Sequence, residues 1–362
     1  MEFDIPKCFR PEISSKDLTR PGPEKTRDTK KIWLDKNENT DPILREISKK
    51  ILRELSEEAI WSYPDCYNVY EKIAKSENLQ IENLLLTAGS DGAIRSVFEA
   101  TISPGDVVLH TSPTFAMYPV YSKMFGAEVK TIEYKSADSG PRIDIDEFVE
   151  SIKLYNPKLV CLPNPDSPSG SIVEVEDMKR LITAARDQNA LFMVDEAYFP
   201  FYPHSVISWI NDFPNLIVTR TFAKAWGAAG FRIGYLAANK SLVGYLHKIK
   251  PMYEVNTLSL RFMEEMLNHE SEVEDSVQRI LEGKKYFVSE MNKLGFFTVE
   301  TNANFVHVDF KELGPKIHEA LKDRVLYRKS FDHPAFSNLS RFTVAPREVL
   351  EEVVILITKA VK

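Results

Sequence analysis

One lysine in this chain has surroundings suited to covalent chemistry. Lys224 lies in the run Thr219-Arg-Thr-Phe-Ala-Lys-Ala-Trp-Gly-Ala-Ala-Gly-Phe-Arg-Ile-Gly-Tyr235, with a hydroxyl at Thr221 and a guanidinium at Arg232. Apolar neighbours such as Phe222, Ala223 and Trp226 strip water from the ammonium, so its pKa falls and the free amine can form a Schiff base. Thr221 and Arg232 are placed to hold a phosphate, Arg232 through charge-assisted hydrogen bonds. Gly227 and Gly230 permit close approach of the backbone. The stretch therefore describes a pocket for an aldehyde that carries a phosphate, and pyridoxal phosphate is the natural occupant.

Other segments supply what such a ring needs. Val194-Asp-Glu-Ala-Tyr198 sets Asp195 at a strand end, where a carboxylate against the pyridine nitrogen keeps it protonated and makes the ring an electron sink. Tyr198 can hydrogen-bond the ring oxygen. Thr87-Ala-Gly-Ser-Asp-Gly92 joins a strand to a helix, and the backbone N–H groups there, with Ser90, form a seat for the phosphate. Phe115 is a candidate to stack on the ring. Tyr63 precedes the helix entering the main domain and is a phosphate-contact candidate. Leu162-Pro-Asn-Pro-Asp-Ser-Pro-Ser-Gly170 is a proline-stiffened turn that closes one wall. Arg328 and Arg341 are guanidinium forks suited to carboxylate or phosphate, so they imply a small anionic substrate.

The elements that must position these residues are legible as an α/β fold. Near-continuous apolar runs at 84–86, 107–109, 129–132, 159–162, 191–194, 216–218 and 233–237 alternate with helical stretches such as 91–101 and 175–188. That pattern predicts a mostly parallel sheet sandwiched by helices, with ligands beyond the carboxyl ends of the strands. The spacing of Ile43, Leu44, Ile47, Ile51, Leu52 and Leu55 predicts a helix over 41–58, capped by Asp41. A long helix over 273–294 opens a smaller α+β C-terminal domain. The divisions expected are an N-terminal arm and helix packing on the small domain (1–59), a large domain (60–268) and a small domain (269–362). The first thirty residues, with Pro6, Pro11, Pro21, Gly22 and Pro23, read as an irregular arm.

The 362 residues carry a net charge of −7, which argues against a nucleic-acid surface. No apolar run approaches the roughly 18 residues of a membrane span. The start reads as neither a secretory nor an organelle address. Cys8, Cys66 and Cys161 have neither a disulfide framework nor a zinc spacing, so no metal is expected and a reducing cytoplasm fits best.

These residues in this order resemble the fold type I pyridoxal-phosphate aminotransferases of class I/II, and the histidinol-phosphate aminotransferase branch in particular. Leu34-Asp-Lys-Asn-Glu-Asn39, Ser62-Tyr-Pro-Asp65, Gly89-Ser-Asp91, Ser112-Pro-Thr-Phe-Ala-Met-Tyr118, Asn302-Ala-Asn-Phe-Val306 and the Arg328/Arg341 pair carry the likeness beside the Lys224 stretch. The resemblance implies that Lys224 binds the cofactor covalently, and that Asp195 and Tyr198 meet the ring nitrogen and oxygen. Ser90, Asp91, Thr221 and Arg232 would hold the phosphate, Asn39 would touch substrate, and a homodimer would bring Tyr63 to the partner's cofactor. Ser167 stands where the family's turn has an asparagine against the ring oxygen, Ala223 where this branch often has a serine, and Thr40-Asp41 where it has Pro-Tyr. The last departure places a negative charge near the site. The expected activity is transfer of an amino group from glutamate or a similar donor to a small, phosphorylated keto or aldehyde acceptor. Decarboxylation of a phosphorylated amino acid, or a non-catalytic cofactor-binding role, are the alternatives.

Overall fold

The computed structural model describes residues 5–20, 22, 26–137 and 140–362; Pro21 and Pro23 of the expected arm lie outside them. In chain order the first strands are β1 (Ile32–Trp33), β2 (Leu84–Thr87), β3 (Val107–Ser112), β4 (Glu128–Glu133) and β5 (Leu159–Pro163). They are followed by β6 (Leu191–Asp195), β7 (Leu216–Thr221) and β8 (Gly234–Ala238). Strands β2 to β8 form one seven-stranded sheet in the order β2-β8-β7-β6-β5-β3-β4. The β4–β3–β5–β6–β7 pairings are parallel, whereas β8 runs antiparallel to both its neighbours, β2 and β7.

Alternation along each strand feeds two cores. Leu84 and Leu86 of β2, Val194 of β6 and Val218 of β7 belong to the core on one face, while Leu85, Met193 and Ile217 belong to the core on the other. Because both faces are covered, every residue of β2, β5, β7 and β8 is buried. That double burial is why the strands read as unbroken apolar runs.

Strands β9 (Phe297–Glu300), β10 (Phe305–Asp309), β11 (Val325–Leu326) and β12 (Leu339–Thr343) follow the long helix Glu270–Lys293. A three-stranded antiparallel sheet has the order β12-β10-β9, and β1 pairs in parallel with β11. The N-terminal segment is thereby tied to the C-terminal one. Helix Pro42–Glu54 starts as expected, with Asp41 accepting from Ile43 N at 3.1 Å. It ends four residues earlier than its apolar spacing suggested, because Leu55 is extended. The arm is not wholly irregular: Ile5–Cys8 forms a 3-10 turn and Pro11–Ser14 a helical turn. Arg10 lies over the Phe125 ring, so this stretch packs on the large sheet's layer rather than with β1.

Candidate active site

Strands β2, β3, β5, β6 and β7 all point their carboxyl ends to one side of the sheet, and β8 begins there. The loops leaving those ends surround a cavity of about 550 Å³. Lys224, Asp195, Tyr198, Ser90, Asp91 and Phe115 line it, as do Ser167, Thr221, Arg232, Arg328 and Arg341. Tyr63 and Asn39 do not.

Lys224 stands three residues beyond β7, in a loop closed by Phe222 N to Ile233 O (3.2 Å) and Ala228 N to Phe222 O (3.0 Å). Its Nζ donates to the backbone oxygen of Lys36 at 2.7 Å. Loss of hydration, aided by Arg341 and Arg232, pulls its pKa from 10.5 to about 8. At pH 7 roughly a tenth of the population carries a free amine, against fewer than about one in a thousand for a solvated lysine. Such an amine can attack a carbonyl.

Asp195 ends β6, in register with Thr219, whose hydroxyl donates to Oδ1 at 3.0 Å. Burial pushes its pKa up to about 6 despite that bond. A cation placed against it would draw it back to carboxylate. A pyridinium nitrogen is such a cation.

Tyr198 packs edge-on against Phe305 and its hydroxyl accepts from Asn37 Nδ2 at 2.8 Å. Burial raises its pKa, while Arg341 and hydrogen bonds from Ser167 and Asn37 oppose the rise. Ser167, which stands in place of the family's asparagine, thus reaches the tyrosine that the missing amide would have accompanied.

The phosphate candidates converge at the start of helix Gly89–Thr101. Gly89 has φ +78°, and a Cβ there would stand 2.9 Å from Arg232 Nη2. At Gly234 a Cβ would lie 2.8 Å from Ser90 N. Only glycine at these two points lets the guanidinium and β8 press against the turn. Asp91 turns its carboxylate to the Tyr121 hydroxyl at 2.9 Å, so what it offers an anion is the N–H of a helix's first turn.

Three of the expected residues lie outside the cavity. Asn39 gives its amide to Ala225 O (2.8 Å) and Ser276 Oγ (3.0 Å), so it braces the loop behind Lys224 and does not face the cavity. The charge of Asp41 stays out of the cavity as well, because Arg279 Nη2 meets it at 2.5 Å. Asn37, left-handed at φ 57°, is the asparagine of that segment that enters the site. Tyr63 is 79% exposed and stacks on Tyr253, away from this chain's own cavity. Beneath the floor lies a buried cluster that the sequence reading did not single out: Arg220 bonds Glu196 and Glu77 while lying over the Phe199 ring. It clamps the ends of β6 and β7.

The family model for aminotransferases of class I and II matches residues 29–357. The chain belongs to that family. This aminotransferase is 34% identical over 301 residues to histidinol-phosphate aminotransferase of Thermoanaerobacter sp. (strain X514), covering 82% of this chain and 84% of that protein. The corresponding protein of Clostridium novyi (strain NT) is 32% identical over 327 residues, 90% of each chain. Among solved structures, histidinol-phosphate aminotransferase from Sinorhizobium meliloti in complex with pyridoxal-5'-phosphate superposes with a TM-score of 0.80. It is 21% identical, covering 91% of this chain and 90% of that one. L-threonine-O-3-phosphate decarboxylase from Porphyromonas gingivalis shares the fold too, with a TM-score of 0.75 at 20% identity over 91% and 98% of the two chains. The family cofactor is pyridoxal phosphate, and the enzyme's residues fit it. A low-pKa amine, a buried carboxyl awaiting a cation and a cradle between Gly89 and Arg232 are the three attachments it requires.

Proposed function

We propose that this aminotransferase takes its amino group from glutamate or a similar small dicarboxylate and passes it to a small keto or aldehyde acceptor bearing a phosphate. The observation that carries this reading is the pair Arg328 and Arg341, set side by side at the wall of the cavity that holds Lys224 and Asp195. The names of the curated relatives support a phosphorylated substrate.

When bound, pyridoxal phosphate supplies an aldehyde for exchange of imine partners and a ring that takes up electron density. Once the incoming amine takes its place, Lys224 Nζ would carry the proton from the substrate's α-carbon to the former aldehyde carbon, the two ends of a 1,3-shift. The Asp195 carboxylate holds a proton on the ring nitrogen. Tyr198, with Ser167 and Asn37 behind it, positions a hydroxyl at the ring oxygen. Arg341 takes the donor's α-carboxylate, and Arg328 favours a distal anion.

The same reading includes a homodimer, supported by apolar side chains left open at Ile60, Trp61, Tyr63 and Met252. None of the helices among the described residues is long and apolar enough to cross a membrane. Cys8, Cys66 and Cys161 form no disulfide with one another, which supports placement in a reducing cytoplasm.

Mixing the cofactor-loaded protein with glutamate tests the reading. Release of 2-oxoglutarate with loss of the aldehyde's visible absorbance is expected. Carbon dioxide from a phosphorylated amino acid, with no transfer from glutamate, would establish the decarboxylase instead.

A further inference from the structure

His307 and Arg341 each bury a polar atom that has no partner, and the two atoms are complementary. They stand opposite one another in the antiparallel pair β10–β12. Directly opposed residues project from the same face of a sheet with their Cβ atoms about 4.5–5.5 Å apart. The imidazole is fully buried, ringed by Phe305, Phe331 and Phe336. Its Nε2 lies 2.7 Å from Pro168 O. A carbonyl only accepts, so Nε2 bears the hydrogen and Nδ1 is a bare acceptor. Burial, with Arg341 adding repulsion, drives the pKa of His307 down to about 3, so the ring is neutral at any working pH.

On the other side, Arg341 uses Nη2 on Asp35 O at 3.0 Å and leaves Nε–H buried and unpaired. Nδ1 of His307 is likewise unpaired. A carboxylate engaged end-on occupies the two terminal nitrogens of a guanidinium and does not reach Nε. An unsatisfied buried donor is costly, and so is an unsatisfied buried acceptor. Pivoting the guanidinium to satisfy both fixes its fork.

We propose that His307 is the positioning residue for Arg341: its Nδ1 receives the Nε–H of Arg341 when the guanidinium engages the substrate carboxylate end-on. Through Nε2 the same ring holds the Ser167–Pro168 turn, so the carboxylate site and the wall beside Tyr198 share one support. The proposal rests on Arg341 being the carboxylate residue. His307 itself touches neither substrate nor cofactor.

Two conservative variants separate its two bonds. Asparagine places a polar atom where Nδ1 was and cannot reach Pro168; glutamine reaches Pro168 and presents nothing at the Nδ1 position. Binding of maleate, an unreactive dicarboxylate, to the cofactor-loaded enzyme is measured by titration, alongside KM for glutamate and kcat. His307→Gln is expected to weaken maleate and raise KM about tenfold, the scale of one hydrogen bond to a charged group, with a smaller change in kcat. His307→Asn is expected to keep both within about threefold. In an Arg341→Lys background, which has no Nε–H, His307→Gln should add no further loss. The reverse ranking, with glutamine restoring affinity and asparagine failing, overturns the proposal. So does an undiminished loss in the Arg341→Lys background. Unchanged maleate binding in Arg341→Lys alone refutes the carboxylate role of Arg341, a separate failure from that of His307.

Discussion

Arg328 and Arg341 exchange backbone hydrogen bonds in both directions, Arg328 N to Arg341 O at 3.1 Å and Arg341 N to Arg328 O at 2.8 Å. Like charges so opposed cost stability. Phe331 lies under both guanidinium groups, at 4.6 Å and 5.9 Å, and offsets part of the repulsion. An arrangement that disfavours the empty protein is suited to a ligand with two anionic ends.

Arg328→Ala should therefore lower kcat/KM for phosphorylated acceptors by about 10–100-fold, the scale of one or two charge-assisted hydrogen bonds. Acceptors without a phosphate should lose little. The melting temperature should hold or rise slightly. Equal losses for both acceptor classes remove the role assigned to this arginine.

Replacing Lys224 by alanine should abolish the cofactor linkage that borohydride traps and reduce turnover by at least about 100-fold. Peptide mapping after reduction reads the outcome directly. A label recovered on another lysine would transfer the assignment there.

The pH dependence of cofactor capture follows from the amine. Lys224 titrates near 8 in the folded protein, below its ordinary 10.5, and only its neutral form attacks. The rate at which apoprotein captures pyridoxal phosphate should climb about tenfold per pH unit below 8 and level off above it. A midpoint near 10.5 contradicts the enclosed environment.

Asn37 and Asn39 should separate cleanly. Asn37→Ala removes the 2.8 Å bond to Tyr198 and the 3.1 Å bond from Thr343 at a left-handed position, and is expected to lower kcat besides costing about 1–3 kcal/mol of stability. Asn39→Ala strips the brace at Ala225 O and is expected to show first as a fall in melting temperature. If Asn39→Ala instead changes KM selectively, the orientation described for it is wrong.

Trp61 is 71% exposed, and a surface substitution in a monomer changes stability by less than about 0.5 kcal/mol. Trp61→Glu should nonetheless split the protein into monomers in sedimentation and cut activity, because Tyr63 beside it is read as reaching a partner's cofactor. A variant that stays fully active and unchanged in mass disproves the interface.

Much of the sheet could be read in advance because burial on both faces leaves runs such as Leu84–Leu86 and Leu216–Val218 without polar interruption. The reversal of β8 could not, since an antiparallel strand buried on both faces has the same composition as a parallel one. That Lys224, Asp195 and Tyr198 line one cavity was legible because each sits within a few residues of a strand end. Asn37 was missed in favour of Asn39 because both lie in one polar segment, and a single left-handed residue decides which amide turns inward. His307 gave no signal, as a lone histidine in an apolar strand looks like core. Arg220 was hidden by its neighbours in the Lys224 stretch; its partners Glu77 and Glu196 lie far off in sequence.

The pairing of β1 with β11 bears on how the molecule is made. Asn37, four residues beyond Trp33 at the end of that pairing, is held by Thr343 and Asn304, which are made 306 and 267 residues after it. The seven-stranded sheet can assemble during synthesis, yet the asparagine behind Tyr198 has no anchor until β10 and β12 have been made. A chain cut short before β12 is thereby born without a finished catalytic pocket, so unfinished copies cannot turn over amino acids.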